Sequence, residues 1–186
     1  MNRSCFLAQW LVLTPLLVAP APAVPVDKNA APLDKATTYL ESAAAAEGFM
    51  IHEGLPHQIR EPKVLARELE HDDTGKIWSF PFYTPAVNAT NPDDLRKLLS
   101  DPSMIRQYSG PKTCGGYHPD YAISWKAGER THYAMICFGC NEVVFFDGKT
   151  AVKYDLTGKI PYEAYTKHLA RYENKRPEKK YLKQSE

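Results

Sequence analysis

The sequence predicts an α+β fold, an antiparallel β-meander of four or more strands with helices packed on one face. Alternating apolar segments joined by short turns fill the region from 121 to 156, and helix-start signals lie mostly before it. The 186 residues are 44% hydrophobic and 24% charged, as in ordinary globular proteins. This composition excludes a collagenous, coiled-coil, membrane-spanning or wholly disordered chain.

The N-terminus has the pattern of a secretory leader. Asn2 and Arg3 precede an apolar run over residues 5–18, and Ala21-Pro22-Ala23 forms a small-x-small cleavage site. A signal peptide over residues 1–23 is therefore predicted, with a retained anchor as the alternative. The run is shorter than the roughly 20 residues that cross a bilayer. We expect an exported protein, periplasmic or extracellular, with no stable membrane anchor after cleavage.

Cleavage also changes the charge and the cysteine count. The chain has 23 basic and 22 acidic residues and four cysteines. Loss of Arg3 and Cys5 leaves 22 basic residues, 22 acidic residues and three cysteines. A balanced charge offers no electrostatic attraction to nucleic acid or to an anionic membrane, and the pattern names no other partner.

The positions of Gly and Pro and the spacing of apolar residues predict the first elements after the leader. Residues 24–32 are rich in Pro and Ala and are expected to be a disordered lead-in. Helical spacing begins at Leu33, and Gly48 is suited to closing that helix. A short strand over 49–52 then enters a Gly- and Pro-containing turn over 53–57.

Two helices and an aromatic strand are predicted next. Pro62 begins a short helix that stops at the turn over 72–75, and Asn91-Pro92 begins another. Between them, residues 76–83 alternate and predict one strand with an aromatic face. Asp101-Pro102 repeats the start signal for a short turn.

The meander itself is the clearest part of the sequence. A final helix is expected from Pro161 to Tyr172, which would end a single domain over 33–172 and leave a charged, flexible, solvated tail over 173–186. The four predicted strands cover residues 121–126, 131–138, 143–146 and 150–156, and Asp147-Gly148 is a strong hairpin signal.

Four residues able to carry chemistry fall in two segments of this meander. Cys114 and His118 precede its first strand, and Cys137 and Cys140 flank the turn after its second. In an antiparallel meander these positions meet at one end of the sheet, so the four residues should be neighbours. Three thiols and one imidazole suit tetrahedral zinc, the cofactor that this spacing predicts.

Three other interpretations of the cysteines remain open. Cysteines of exported proteins usually oxidise, and three cysteines can form one disulfide with one spare thiol. A redox C-x-x-C usually lies at a helix N-terminus, whereas this one leads into a strand. A catalytic cysteine assisted by histidine is the third alternative.

Two further residues, His57 and Glu142, are candidates for a role beside the cysteine cluster. His57 lies in a Gly/Pro turn, where a histidine that caps backbone groups is favoured over a functional one. Glu142 follows Cys140 closely and could support a metal ligand or act as an acid. A solvent-facing strand position is favoured for it.

Three motifs give the chain a resemblance. Residues 53–58 (EGLPHQ), 112–122 (KTCGGYHPDYA) and 136–142 (ICFGCNE) resemble motifs of small exported bacterial proteins of unknown function. The similarity spans roughly residues 49–172 and carries over no catalytic residue. It implies an exported bacterial setting and associates the Gly-Leu-Pro-His turn with both cysteine segments, which adds His57 to the expected site.

The sequence thus predicts a non-enzymatic exported module whose cysteine cluster is structural or binds zinc or another transition metal. The expected ligand set is Cys114, His118, Cys137, Cys140 and His57. One alternative is an enzyme that uses the cluster as an open metal site or thiol centre, with His57 or Glu142 handling protons; its catalytic residues cannot be assigned. The other is a disulfide-stapled interaction domain.

Overall fold

A seven-stranded antiparallel sheet forms the centre of the molecule, which a computed structural model describes over residues 31–172 and 175–176. The predicted meander is confirmed, with strand order β4-β1-β6-β7-β8-β9-β5. The strands of this sheet are β1 (Met50–Glu53), β4 (Val87–Asn88), β5 (Ile105–Gln107), β6 (Tyr121–Ala127), β7 (Arg130–Cys137), β8 (Glu142–Phe146) and β9 (Ala151–Leu156).

Helices pack on one face of this sheet, as predicted, and three of them contribute side chains to the core there. Burial of apolar side chains between the helices and the sheet supplies the main core. Tyr154 and Tyr165 are among its largest fully buried members. Within the described residues the helices are α1 (Asp34–Ala44), α2 (Pro62–Glu68), α3 (Pro92–Ser100) and α4 (Lys159–Leu169), and 3₁₀ turns cover Pro102–Met104 and Ala170–Tyr172.

The opposite face is covered by a hairpin where the sequence suggested one strand. Residues 76–83 divide between β2 (Thr74–Ile77) and β3 (Phe80–Tyr83), which pair antiparallel. The chain reverses at Trp78, whose backbone has a left-handed φ of 57°. The indole stacks 5.6 Å from the ring of Phe146. The prediction of a single strand was wrong. The alternation of side chains continues through the tight reversal at Trp78, so the pattern does not show that the chain turns there.

Parts of the predicted organisation lie outside the described residues. The leader over 1–23 and most of the lead-in and tail belong to this group. Two tail residues are described, and they are docked. Arg176 has a side chain only 5% exposed, and the backbone N–H groups of Lys175 and Arg176 donate to the Glu53 carboxylate at 3.0 Å. Among the described helices, none has the length and apolarity needed to cross a bilayer.

Gly54 brings the end of β1 into direct backbone contact with the segment before β6. Its N–H donates to the carbonyl of Asp120 at 2.8 Å. A Cβ at this position would lie 2.2 Å from the carbonyl oxygen of Pro119, which is well inside van der Waals contact. The segments can therefore approach this closely only because residue 54 has no side chain.

We expect Gly54→Ala to lower the free energy of unfolding by about 3 kcal/mol, since the methyl group must push two backbone segments apart. Gly48→Ala is the matched control, because a Cβ there meets nothing within 4 Å. That control should change stability by less than about 0.5 kcal/mol. Urea denaturation of both variants measures the difference, and equal effects would contradict the close approach of the two segments.

Candidate functional site

A cleft of about 380 Å³ opens at the end of the sheet where β6 begins and β7 ends. Its walls come from the Gly-Leu-Pro-His turn, the loop before β6, the turn between β7 and β8, and α4. Asp120 ties two of these walls together, because its Oδ2 accepts from the backbone N–H of Phe138 at 2.8 Å. Four of the five residues expected at one site line this cleft, namely His57, Cys114, His118 and Cys137, and the fifth, Cys140, is bonded to Cys114.

The cysteine segments are joined covalently. Cys114 and Cys140 form a disulfide with a Cα–Cα distance of 5.3 Å, and Cys137 packs against both as a buried free thiol. The bridge connects the loop before β6 to the turn after β7, so it fixes two walls of the cleft. One bridge with one spare thiol was among the alternatives that the sequence left open.

The Cys137 thiol lies in surroundings that suppress its ionisation. It is 2% exposed, and its sulfur accepts from the backbone N–H of Cys140 at 3.3 Å. Burial raises the pKa of the Cys137 thiol to about 11. At neutral pH the group is therefore protonated, and a protonated thiol is a weak nucleophile.

Leu55 connects the Gly-Leu-Pro-His turn to the rest of the site. Its carbonyl oxygen lies 2.8 Å from His118 Nε2 and 2.9 Å from Arg176 Nη2. The Leu55 side chain itself is fully buried. The turn is thus held between the loop before β6 and the segment after α4, and this positions His57 beside His118.

The two histidines form a pair inside the cleft. Their ring centroids lie 4.7 Å apart, with 35° between the planes. Burial lowers the pKa of His118 to about 4, and burial also lowers the pKa of His57. Both rings are consequently neutral near pH 7, and each has one protonated and one unprotonated nitrogen.

The five residues expected to bind a metal are close together but are not arranged as one ligand set. Cys114 and Cys140 are bonded to each other, and a disulfide sulfur is not a thiolate ligand. His57 Nδ1 already accepts from the backbone N–H groups of Ile59 and Arg60. Over residues 31–172 and 175–176, no group of three or more His, Cys, Asp or Glu side chains could hold a metal ion.

Glu142 does not face solvent, which corrects the interpretation favoured from the sequence. It is 2% exposed, and its Oε2 lies 3.2 Å from the Lys153 ammonium. Lys153 also lies 4.5 Å from the centre of the Tyr117 ring. Glu142 is not among the residues that line the cleft. Its partner Lys153 lies in the last strand of the meander, and nothing in the local sequence indicates the pair.

Several lining residues were missed at the sequence level. Arg60 donates to the carbonyl of Cys114 at 3.1 Å, and Arg176 lies 3.3 Å from Asp120. Thr166 reaches the cleft from α4. Asp120 lies within the second motif and could have been singled out there, whereas Arg176 comes from a region that looked like a solvated tail.

The low pKa of His118 predicts a pH-dependent stability. Its ordinary value is 6.5, so between pH 6.5 and about 4 the unfolded chain binds more protons than the folded chain. The contribution is fully present above pH 6.5 and is lost as the pH falls, by up to about 1.4 kcal/mol per pH unit. Replacement by glutamine should remove this dependence.

The measurement is urea denaturation of the wild type and His118→Gln at pH 7, 6 and 5. His52, whose pKa burial also lowers to about 4, titrates equally in both proteins and cancels in the comparison. The gap between the two stabilities should change with pH. A constant gap would show that His118 ionises normally in the folded protein.

Comparisons with protein-family models, with curated proteins and with solved structures gave no match for this chain. The defining features of the cleft are a disulfide in the wall, a buried protonated thiol, and two neutral imidazoles side by side.

Proposed function

We propose that this chain is an exported, non-enzymatic binding module in which the cysteine cluster is structural and the neighbouring cleft receives a ligand. The observation that carries the proposal is the Cys114–Cys140 disulfide, which joins two walls of the cleft. A cross-link at this position stabilises a preformed pocket, and ligand sites are usually largely preformed. Disulfides are typical of exported proteins, which agrees with the predicted signal peptide.

The state of the free thiol supports binding over thiol catalysis. A nucleophilic cysteine needs a lowered pKa and access to substrate. Cys137 has a pKa raised to about 11 and is almost wholly buried. Its packing against the other two sulfurs is that of a small apolar side chain in a core.

Zinc or another transition metal remains the second candidate, because the three sulfur atoms form one cluster. It requires the Cys114–Cys140 bond to be reduced. Cys114, Cys137, Cys140 and His118 would then be the ligands, and His57 would join only by releasing two backbone hydrogen bonds. The two candidates differ in the number of free thiols and in the metal content.

The test uses protein secreted to the periplasm with its own leader and purified without chelators. We expect one thiol per chain, reactive only after denaturation, no stoichiometric metal, and a mature N-terminus at Val24. One metal per chain, with three thiols released by a chelator, would instead establish the metal site and overturn the structural role.

Removing the bridge provides the energetic check. The disulfide closes a loop with a sequence separation of 26 residues, so Cys114→Ala/Cys140→Ala should lower the free energy of unfolding by about 3 kcal/mol. The control Cys137→Ala keeps the bridge and removes the third sulfur. If that control alone abolishes folding while the double variant is stable, the bridge is not the structural element.

A further inference from the structure

The tautomer of His57 is set by its own turn. Its Nδ1 accepts from the backbone N–H of Ile59 at 3.1 Å and from that of Arg60 at 3.3 Å. An acceptor nitrogen carries no proton, so in the neutral ring the proton is on Nε2. His57 lines the cleft, and the ring nitrogen that its turn leaves unused is this N–H donor.

The tautomer of His118 is set by Leu55. A carbonyl oxygen can only accept, so the Nε2 atom that lies 2.8 Å from Leu55 O must carry the proton. Nδ1 is then the unprotonated nitrogen, and no hydrogen bond from another described residue reaches it. His118 also lines the cleft, so this acceptor and the donor of His57 belong to neighbouring rings of one wall.

The charges around this pair balance. Arg176 faces Asp120 at 3.3 Å and also donates to the carbonyls of Gly54 and Leu55. Arg60 and Glu61 both line the cleft, and Glu61 Oε2 accepts from the backbone N–H of His57 at 2.9 Å. The two arginines and the two acidic residues cancel in charge. The cleft therefore has no net charge that would select a charged ligand.

Two other features extend the site. Among the described residues, the buried Oγ1 of Thr166 has no hydrogen-bond partner, although Thr166 lines the cleft. The rings of Phe138 and Tyr162, 5.4 Å apart, also line it, and Tyr162 is 40% exposed. The cleft therefore has an accessible aromatic surface, and the unpaired Thr166 hydroxyl lies buried behind its wall.

Common ligand groups differ in whether they can meet this donor and acceptor. A carboxylate only accepts, and an ammonium only donates. A trans peptide group directs its N–H and C=O in opposite directions, whereas the two rings lie 4.7 Å apart. A hydroxyl donates and accepts through a single oxygen atom, and it suits Thr166 equally well.

Building on the binding role proposed above, we propose that the cleft binds an uncharged ligand rich in hydroxyl groups, of the size of one or two sugar rings. One ligand hydroxyl accepts from His57 Nε2–H and donates to His118 Nδ1, and another pairs with Thr166 Oγ1 when that side chain turns toward the cleft. Phe138 and Tyr162 contact the apolar face of the ring. A volume of about 380 Å³ suits a ligand of this size.

Binding is tested by NMR on the mature protein at pH 7, with the imidazole nitrogens of His57 and His118 as reporters. The probes are the methyl glycosides of glucose, galactose and mannose, and maltose. Acetamide, N-acetylalanine methylamide, acetate and phosphate represent the competing chemistries. We expect both histidines to show the Nε2–H tautomer and to respond to at least one sugar.

Three variants separate the contacts. His57→Asn keeps a side-chain acceptor for the turn but removes the Nε2–H donor, and His118→Gln keeps a donor for Leu55 but removes Nδ1. Each should weaken sugar binding about tenfold, and Thr166→Val about fivefold. The control His71→Gln changes a histidine outside the cleft and should leave binding unchanged.

The outcomes distinguish this inference from the proposal on which it rests. Binding of an amide or anion probe in place of every sugar overturns the hydroxyl inference and leaves the binding role standing. Sugar binding that is unchanged in His57→Asn and His118→Gln overturns the assignment to this cleft. No response to any probe counts against both, while the thiol count still reports separately on the disulfide.

Discussion

The close contact of Gly54 with Pro119 and Asp120, together with that of Leu55 with His118, is the constraint on which the cleft depends. The Gly54 N–H bonds to the Asp120 carbonyl, and the Leu55 carbonyl accepts from His118. These hydrogen bonds join the ends of β1 and β6, so they set the distance between the loops beyond those strands. If either bond were broken, His57 and His118 would no longer face the same space.

The disulfide acts on a second pair of loops at the same end of the sheet. Hydrogen bonds hold the first pair, and a covalent bond between Cys114 and Cys140 holds the second. His118 belongs to both arrangements, since it follows Cys114 in the chain and bonds to Leu55. The imidazole is therefore positioned from two directions, and its burial is the main reason that it stays neutral.

Local patterns in the sequence were sufficient for the meander and the helices. Alternation of apolar residues is a strong signal where strands pair with their neighbours in the chain, as β6 to β9 do. It also identified the end of the sheet where Cys114 and Cys137 meet. Alternation could not reveal the chain reversal at Trp78. It could not identify β4 either, because a strand of two residues is too short to show an alternating pattern.

The site was harder to predict because its chemistry depends on distant partners. Which nitrogen of His118 carries the proton depends on Leu55, 63 residues earlier in the chain. The burial of Glu142 depends on Lys153, and no local pattern indicates that pair. Spacing left a zinc site and a disulfide both open, because it shows which side chains can meet but not which sulfurs oxidise or which lone pairs are already used.

The position of Arg176 in the chain bears on the order in which the cleft can form. Its guanidinium donates to the carbonyl of Gly54, 122 residues earlier in the chain. Under the proposed export, N-terminus first, Cys114 and Cys140 would reach an oxidising compartment before residue 176. In that case the bridge could close while the cleft still lacked the contacts that Arg176 makes after α4.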